Sequence, residues 1–414
     1  MTNNSRVQFC KLRSWPYPFQ AGLTISNDAE FMSLEFFEEL MAFLNTENQT
    51  TLGQGLGIEV TSSVFHFSAN SYNFSIFDGA LPDAQLSQNA HRIDEYLRAG
   101  WIDTLHAYGD FDHVGGFERA HAVRCVEHLK KIGVSVNVFS NHGGIENIQN
   151  VGRDASYHRG DHRGDAAYHT DLWKEMGIRY VWTDSMVTHR LKPLSLSIRQ
   201  RLSSFRRSFM RNRAADYFKT QDSGVLKTVR LNDELNVDGF RRFRGTGANA
   251  PNLSSWAYQL AQIPWQEFYR NSEGLVLYQH FGVLHRINGR CTAATIQAIK
   301  QRPEVYIAPF RFLAREYKEG RLWVVGCARF LNYLKMRDEI KFICEEDGFV
   351  RLQLNASFSN PQEALQGLTI YIDPTNFRGL LFMGAEIPVQ FNGPDYTGRY
   401  SVTVPIQQLP NIWK

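Results

Sequence analysis

His106 and Asp110 stand four residues apart in Thr104-Leu-His106-Ala-Tyr-Gly-Asp110, where an apolar strand pattern breaks into a glycine-containing loop. An imidazole and a carboxylate at that spacing can grip one divalent cation. Far upstream, Leu23-Thr-Ile-Ser-Asn27-Asp28 ends another short apolar pattern in side chains that bind cations or move protons. A dication held by two carboxylates and an imidazole lowers the pKa of a water ligand to about 7 and polarises a carbonyl, so these residues point to metal-assisted hydrolysis. Further polar groups fall at comparable places: Asn141 and His142 before Gly143-Gly144, Asp184 after Val181-Trp182-Thr183, Arg242 and Arg244 on one face of a strand pattern, and His280.

The elements that would position these side chains are short and regularly spaced. Seven β-rich runs, Gly22 to Ser26, Gly57 to Phe67, Ile102 to His106, Val134 to Phe139, Ile178 to Thr183, Phe240 to Arg244 and Gly274 to His280, alternate with amphipathic stretches. Ser33 to Leu44 and Phe117 to Ile132 carry apolar residues at helical spacing, and Gly133 and Gly177 follow the second stretch and the one from His169 to Met176. Strand-helix repetition predicts a parallel sheet, either closed as a β/α barrel or open and doubly wound. In a barrel, reacting groups sit at the carboxyl ends of strands, which is where Asn27, Asp28, His106, Asp110, Asn141, His142, Asp184 and His280 fall.

After about Glu339 the pattern changes to period-two alternation, as in Phe349-Val-Arg-Leu-Gln-Leu354 and Tyr400-Ser-Val-Thr-Val404, which predicts a small antiparallel β module over 339–414 behind a barrel-sized domain over 1–338. With 45 Lys+Arg against 42 Asp+Glu the chain has no global field that selects a polyanion. From His189 to Arg230, however, eleven basic residues face two Asp, and Leu194 to Arg213 has the periodicity of an amphipathic helix. A basic helical insertion near 189–230 is expected, either a solvated face or a contact for an anionic membrane surface or a lipid-diphosphate-linked glycan. Aromatics are not interleaved with this charge, so nucleic acid is not an expected partner. The segment Met1 to Cys10 lacks the basic-then-apolar order of a secretory signal, and no apolar run approaches the roughly 18 to 20 residues of a membrane span. The expected location is cytoplasmic, or peripheral to the inner face of the membrane. Five scattered cysteines suggest reduced thiols.

The order of these motifs resembles the polysaccharide deacetylases of carbohydrate esterase family four, metal-dependent enzymes on a distorted (β/α)7-type barrel. Thr24-Ile-Ser-Asn27-Asp28 stands where that family opens with T-F-D-D, His106-Ala-Tyr-Gly-Asp110 keeps the spacing of H-[S/T]-x-x-H, and Leu277-Tyr-Gln-His280 is similar to the closing L-x-H, one residue longer. Arg321-Leu-Trp-Val-Val-Gly and Ala328 to Tyr333 resemble the family's last strand and helix. The resemblance implies Asp28, His106 and Asp110 as metal ligands, His280 as the acid that protonates the leaving amine, and zinc as cofactor, with cobalt or manganese as alternatives. It implies removal of an N-acetyl or O-acetyl group from a carbohydrate, including a lipid-linked one, in surface-polysaccharide assembly. The pattern departs at Asn27, which cannot serve as base, and the R-x-P-Y motif is absent. Asp112, Glu30 or Glu146 could take the proton, with Asp112 and Asp184 carried as catalytic candidates. Asn27, Asn141, His142, Arg242 and Arg244 are the candidate substrate contacts.

Blander readings stand beside each of these. His106 and Asp110 could be a hydrogen-bonded pair, His280 a packed lip residue, and Arg242 and Arg244 surface ion pairs. His158-Arg-Gly-Asp161-His162-Arg-Gly-Asp165 reads as a solvated loop with Asp165 capping the helix behind it. The rival functions are a barrel that binds glycan without turnover, which Asn27 favours, and a two-carboxylate glycosidase.

Overall fold

Runs in which β-branched and aromatic residues alternate with small polar ones suit strands buried on both faces, and helices then cover one of those faces. The structure, a computed structural model, describes residues 10–111, 116–143, 147–152, 157–182, 226–228, 241–243, 252–261, 263–287, 290–354 and 361–413. Each of the seven runs overlaps a strand: β1 (Ala21–Asn27), β2 (Ser62–Ser68), β3 (Ile102–His106), β4 (Val138–Ser140), β5 (Tyr180–Trp182), β6 (Arg241–Phe243) and β7 (Gly274–Gln279), and β8 (Leu322–Val324) follows.

These eight strands form two parallel arcs. In one, β2, β3, β4, β5 and β6 are neighbours in chain order. In the other, β1 lies between β7 and β8. Among the described residues no ladder joins the arcs; side chains do. The Asn27 amide donates to Ser62 Oγ at 2.8 Å, the Ala29 N–H donates to Ser63 Oγ at 3.1 Å, and the Trp182 and Tyr278 rings lie 4.2 Å apart. Strands not foreseen from the sequence extend the first arc, Ser75–Asp78 beside β2 and the antiparallel Leu226–Thr228 beside β6.

Alternation along the strands separates two cores. Leu23, Ile25, Leu105, Phe139, Val181, Leu275 and Leu277 pack into one, with α1 (Leu34–Asn45), α2 (Ala90–Ala99) and α3 (Arg119–Ile132). Val138, Tyr180, Trp182, Val276, Tyr278 and Trp323 pack into the other, with Trp15 and with Phe330 and Tyr333 of α4 (Cys327–Glu339). α1 starts where Ser33 Oγ accepts the Phe36 N–H, and α3 stops at Gly133, whose φ of 70° only glycine adopts without strain. The helix expected over 169–176 is shorter, a 3-10 turn at Thr170–Leu172 followed by Trp173–Met176. Asp165 accepts the Ala167 N–H, so it caps the preceding turn and not that helix.

The carboxy-terminal module differs from expectation in two respects. Its sheet of Lys341–Cys344, Phe349–Gln353, Gly379–Phe382 and Ala385–Ile387 contains a parallel pair, Phe349–Gln353 with Gly379–Phe382. Its second sheet, antiparallel throughout, recruits Lys11–Leu12 from the amino terminus beside Thr369–Tyr371. The Arg13 side chain secures that recruitment, donating to Asp395 Oδ2 at 3.0 Å and to the carbonyls of Trp15, Pro16 and Pro18. Cys10 and Cys344 form a disulfide, which corrects the expectation of reduced thiols at that pair; Cys125, Cys291 and Cys327 are free. The carboxy-terminal tail returns to the helices: Trp413 stacks on Tyr96 at 4.7 Å and meets Trp101 and Phe37, while Trp101 Nε1 donates to the Pro410 carbonyl. Among the described residues no helix is long and apolar enough to cross a membrane. The amphipathic helix expected over 194–213 lies outside the described residues.

This packing has two measurable consequences. Trp413→Ala removes a buried indole from three aromatic neighbours and is expected to cost about 3 kcal/mol or more of stability, read from the urea midpoint; a change under ~1 kcal/mol contradicts the clasp. His169 is fully buried, with Nε2 2.7 Å from the Gln149 carbonyl and Nδ1 3.1 Å from Tyr108 Oη. Burial pulls its pKa from 6.5 to about 4 against the opposing pull of the Gln149 carbonyl. The native state therefore favours the neutral ring, and about 3 kcal/mol of stability present above pH ~6.5 is lost as the pH falls towards ~4. Denaturation across that window should show this slope in wild type and a shallower one in His169→Asn.

Candidate metal centre

Glu30, His106 and His142 belong to three segments far apart in the chain, and the strand ends bring them together. Glu30 stands three residues past β1, His106 is the last residue of β3, and His142 lies two residues past β4. Their ligand atoms all lie within 4.8 Å of one another. Glu30 Oε1 is 3.8 Å from His106 Nε2 and 3.8 Å from His142 Nε2. Donor atoms about 2.0 to 2.2 Å from a tetrahedral cation sit roughly 3.4 Å apart, so small side-chain movements would place all three around one ion. One carboxylate and two imidazoles are a donor set that suits a divalent cation such as zinc, cobalt or manganese.

Electrostatics prepare these groups. Burial drives the His106 pKa well below its usual value and His142 adds to that, against the pull of Glu30. The ring is therefore neutral near pH 7, the form that ligates metal. Burial alone would raise the Glu30 pKa, but His280 first, then His142, hold it below the ordinary carboxylate range. His280 Nε2 is 3.6 Å from Glu30 Oε1 and within 3.0 Å of Tyr278 Oη. Asp28, fully buried, lies 3.3 Å from His106 Nε2. Asp110 Oδ1 lies 3.9 Å from His142 Nε2, while its Oδ2 accepts from Asn73 Nδ2 at 3.2 Å.

The supports are specific. Phe65 stacks on His106 with ring centroids 4.6 Å apart and meets His142 edge-on at 5.1 Å, so one buried ring orients two imidazoles. Phe31 and Ala107, the residues immediately after Glu30 and His106, have φ of 53° and 47°. Non-glycine residues in that region carry strain of order 1 to 3 kcal/mol, which the surroundings must over-determine. For Ala107 the hydrogen bond from its N–H to the Ser140 carbonyl does so; for Phe31 it is Asn73 Oδ1, which accepts the Phe31 N–H. Gly282, in the turn after β7, lies so close to the first loop that a Cβ there would fall 2.1 Å from the Glu30 carbonyl oxygen.

Of the residues singled out in the sequence, the structure gathers Asp28, His106, Asp110, His142 and His280 about Glu30. Asn27 is buried, its amide donating to Ser62 Oγ and its Oδ1 accepting the Phe281 N–H. The Asn141 side chain pairs with the backbone of Val151 in both directions and thereby shapes the His142 loop. Arg242 lies in β6, of which only the backbone is described; Asp112, Glu146, Asp184 and Arg244 lie outside the described residues. Sequence reasoning treats Glu30 only as a substitute base and His142 as a substrate contact. The signal it offers is their place just past a strand end, which does not say which of Asp28 and Glu30 meets the second histidine.

Comparison with known proteins returns no match: no family model, no curated protein and no solved structure resembles the chain significantly. The centre therefore stands on its own geometry. Gly282→Ala should displace the Glu30 backbone and weaken zinc affinity about tenfold or more, as loss of support around metal ligands commonly does. Equal zinc affinity in the variant and the wild type, measured by competition with a chromophoric chelator, would contradict this account of Gly282.

Proposed function

We propose that this chain is a metal-dependent hydrolase that removes an N-acetyl or O-acetyl group from a carbohydrate, and that its two parallel arcs, eight strands in all, are parts of one distorted β/α barrel. The observation that carries the reading is the convergence of Glu30, His106 and His142 at carboxyl strand ends, with ligand atoms within 4.8 Å of one another. When bound, a divalent cation supplies Lewis acidity there, polarising an acyl carbonyl and making water a better nucleophile.

The remaining work falls to the side chains around that group. Asp110, held by Asn73, is a second carboxylate beside His142, after Glu30, and takes the base role that Asn27 cannot fill. His280, between Glu30 and the Tyr278 hydroxyl, delivers a proton to the leaving nitrogen or oxygen. Asp28, 3.3 Å from His106 Nε2, steadies that ring. A lipid-linked glycan in surface-polysaccharide assembly is the substrate suggested by the basic stretch over 189–230, which would rest against the inner membrane face. A second reading, binding of a glycan without turnover, is favoured by Asn27, whose amide is locked between Ser62 and Phe281.

The test combines metal analysis with acetate release. Purified wild type is expected to hold close to one equivalent of zinc, cobalt or manganese, and His106→Ala and His142→Ala less than about a tenth of that. Acetate should be released from N-acetylated oligosaccharide by the metal-loaded wild type alone. Equal metal content in all three proteins would overturn the centre, and bound metal with glycan binding but no acetate would select the second reading.

A further inference from the structure

At the rim of the centre, the loops after β1 and β2 are latched into one unit. The Phe31 N–H donates to Asn73 Oδ1 at 2.8 Å, and the Phe74 N–H donates to the Met32 carbonyl at 3.2 Å. Asn73 uses its other end to hold Asp110. On this unit Phe31 and Tyr72 lie nearly parallel, 24° between their planes and 6.2 Å between centroids, and Tyr72 is 62% exposed.

Three features set this pair apart from an ordinary surface contact. Phe31 directly follows Glu30 in the chain, so its ring is placed by the same backbone that presents a metal-binding carboxylate. Its φ of 53° is rare for an aromatic residue, and strain of this kind gathers where a site needs a side chain held in one place. A residue as exposed as Tyr72 contributes little to the folded core, so its alignment with Phe31 is not explained by burial.

We propose that Tyr72, backed by the stacked Phe31 ring, forms a platform on which a pyranose ring of an N-acetylated glycan stacks, placing its acetyl group over Glu30, His106 and His142. The proposal rests on the deacetylase reading above and adds the site that selects the sugar. A pyranose offers a face of axial C–H groups, and the exposed Tyr72 ring, with the half-buried Phe31 ring stacked behind it, offers a flat apolar face of similar size with a polar edge at the tyrosine hydroxyl. Asn73 ties the height of this platform to Asp110, so that sugar position and proton acceptor are set together.

The experiment uses the metal-loaded full chain with tetra-N-acetylchitotetraose, measuring binding by calorimetry and acetate release by steady-state kinetics. Tyr72→Ala is expected to raise Kd and KM about five- to tenfold with metal content and kcat changed less than about twofold, whereas Tyr72→Phe stays within about twofold of wild type because the ring face remains. Unchanged Kd and KM in Tyr72→Ala would overturn the platform even if wild type releases acetate, as would loss of metal from that variant. Binding that depends on Tyr72 without acetate release would support the platform and defeat the deacetylase reading. Absence of both binding and turnover in wild type would overturn the platform as well.

Discussion

The rest of the site depends on one mostly buried carboxylate. Glu30 Oε1 lies within 3.8 Å of the Nε2 atoms of His106, His142 and His280, so a single oxygen answers to three rings. Withdrawing a carboxylate from water costs several kcal/mol unless positive charge or hydrogen bonds replace the lost solvation. Burial keeps the neighbouring His106 neutral, so that ring does not supply the charge. A dication among Glu30, His106 and His142 satisfies both demands, since it compensates the carboxylate and takes the lone pairs of neutral imidazoles.

Such a cluster cannot be assembled from one element. It needs strand ends from both arcs, and the contacts between the arcs explain why they stay in register. Asn27 holds β1 to Ser62 at the start of β2 and to Phe281 after β7 through a single amide. A buried amide with both ends satisfied fixes position as well as adding stability, because each partner left alone would be an unpaired polar group. Asn27 thus works as a brace. Gly282 completes the arrangement by letting the loop after β7 approach the Glu30 backbone, and Phe65 contacts two imidazoles with one ring, stacked on His106 and edge-on to His142.

The amino- and carboxy-terminal segments contribute in a different way. Lys11–Leu12, Arg13 and Cys10 bind the first residues to the β module, and Trp413 returns the last described residue to α1 and α2. The module is therefore stitched to the arcs at both ends of the chain, and its core is continuous with the residues that fill the space among the strands, Trp15 and Phe330 included.

Local sequence determined the strands and the helices flanking them, because period-two and helical spacing of apolar residues and glycine stops act within a few residues. It also placed Asp28, His106, Asp110, His142 and His280 at the carboxyl ends of strands, which is why a candidate metal site is legible in the chain itself. Only the tertiary structure decided which of them meet. Asp28 and Glu30 are two residues apart on one loop, and the turn at Phe31, held by an asparagine forty-two positions away, brings Glu30 rather than Asp28 within reach of both His106 and His142. Likewise the pairing of Lys11–Leu12 with Thr369–Tyr371 and the parallel strand pair in the carboxy-terminal module depend on partners distant in the chain. Spacing within a segment is set by local backbone geometry, whereas a shared ligand oxygen is set by packing between segments, to which no local pattern has access.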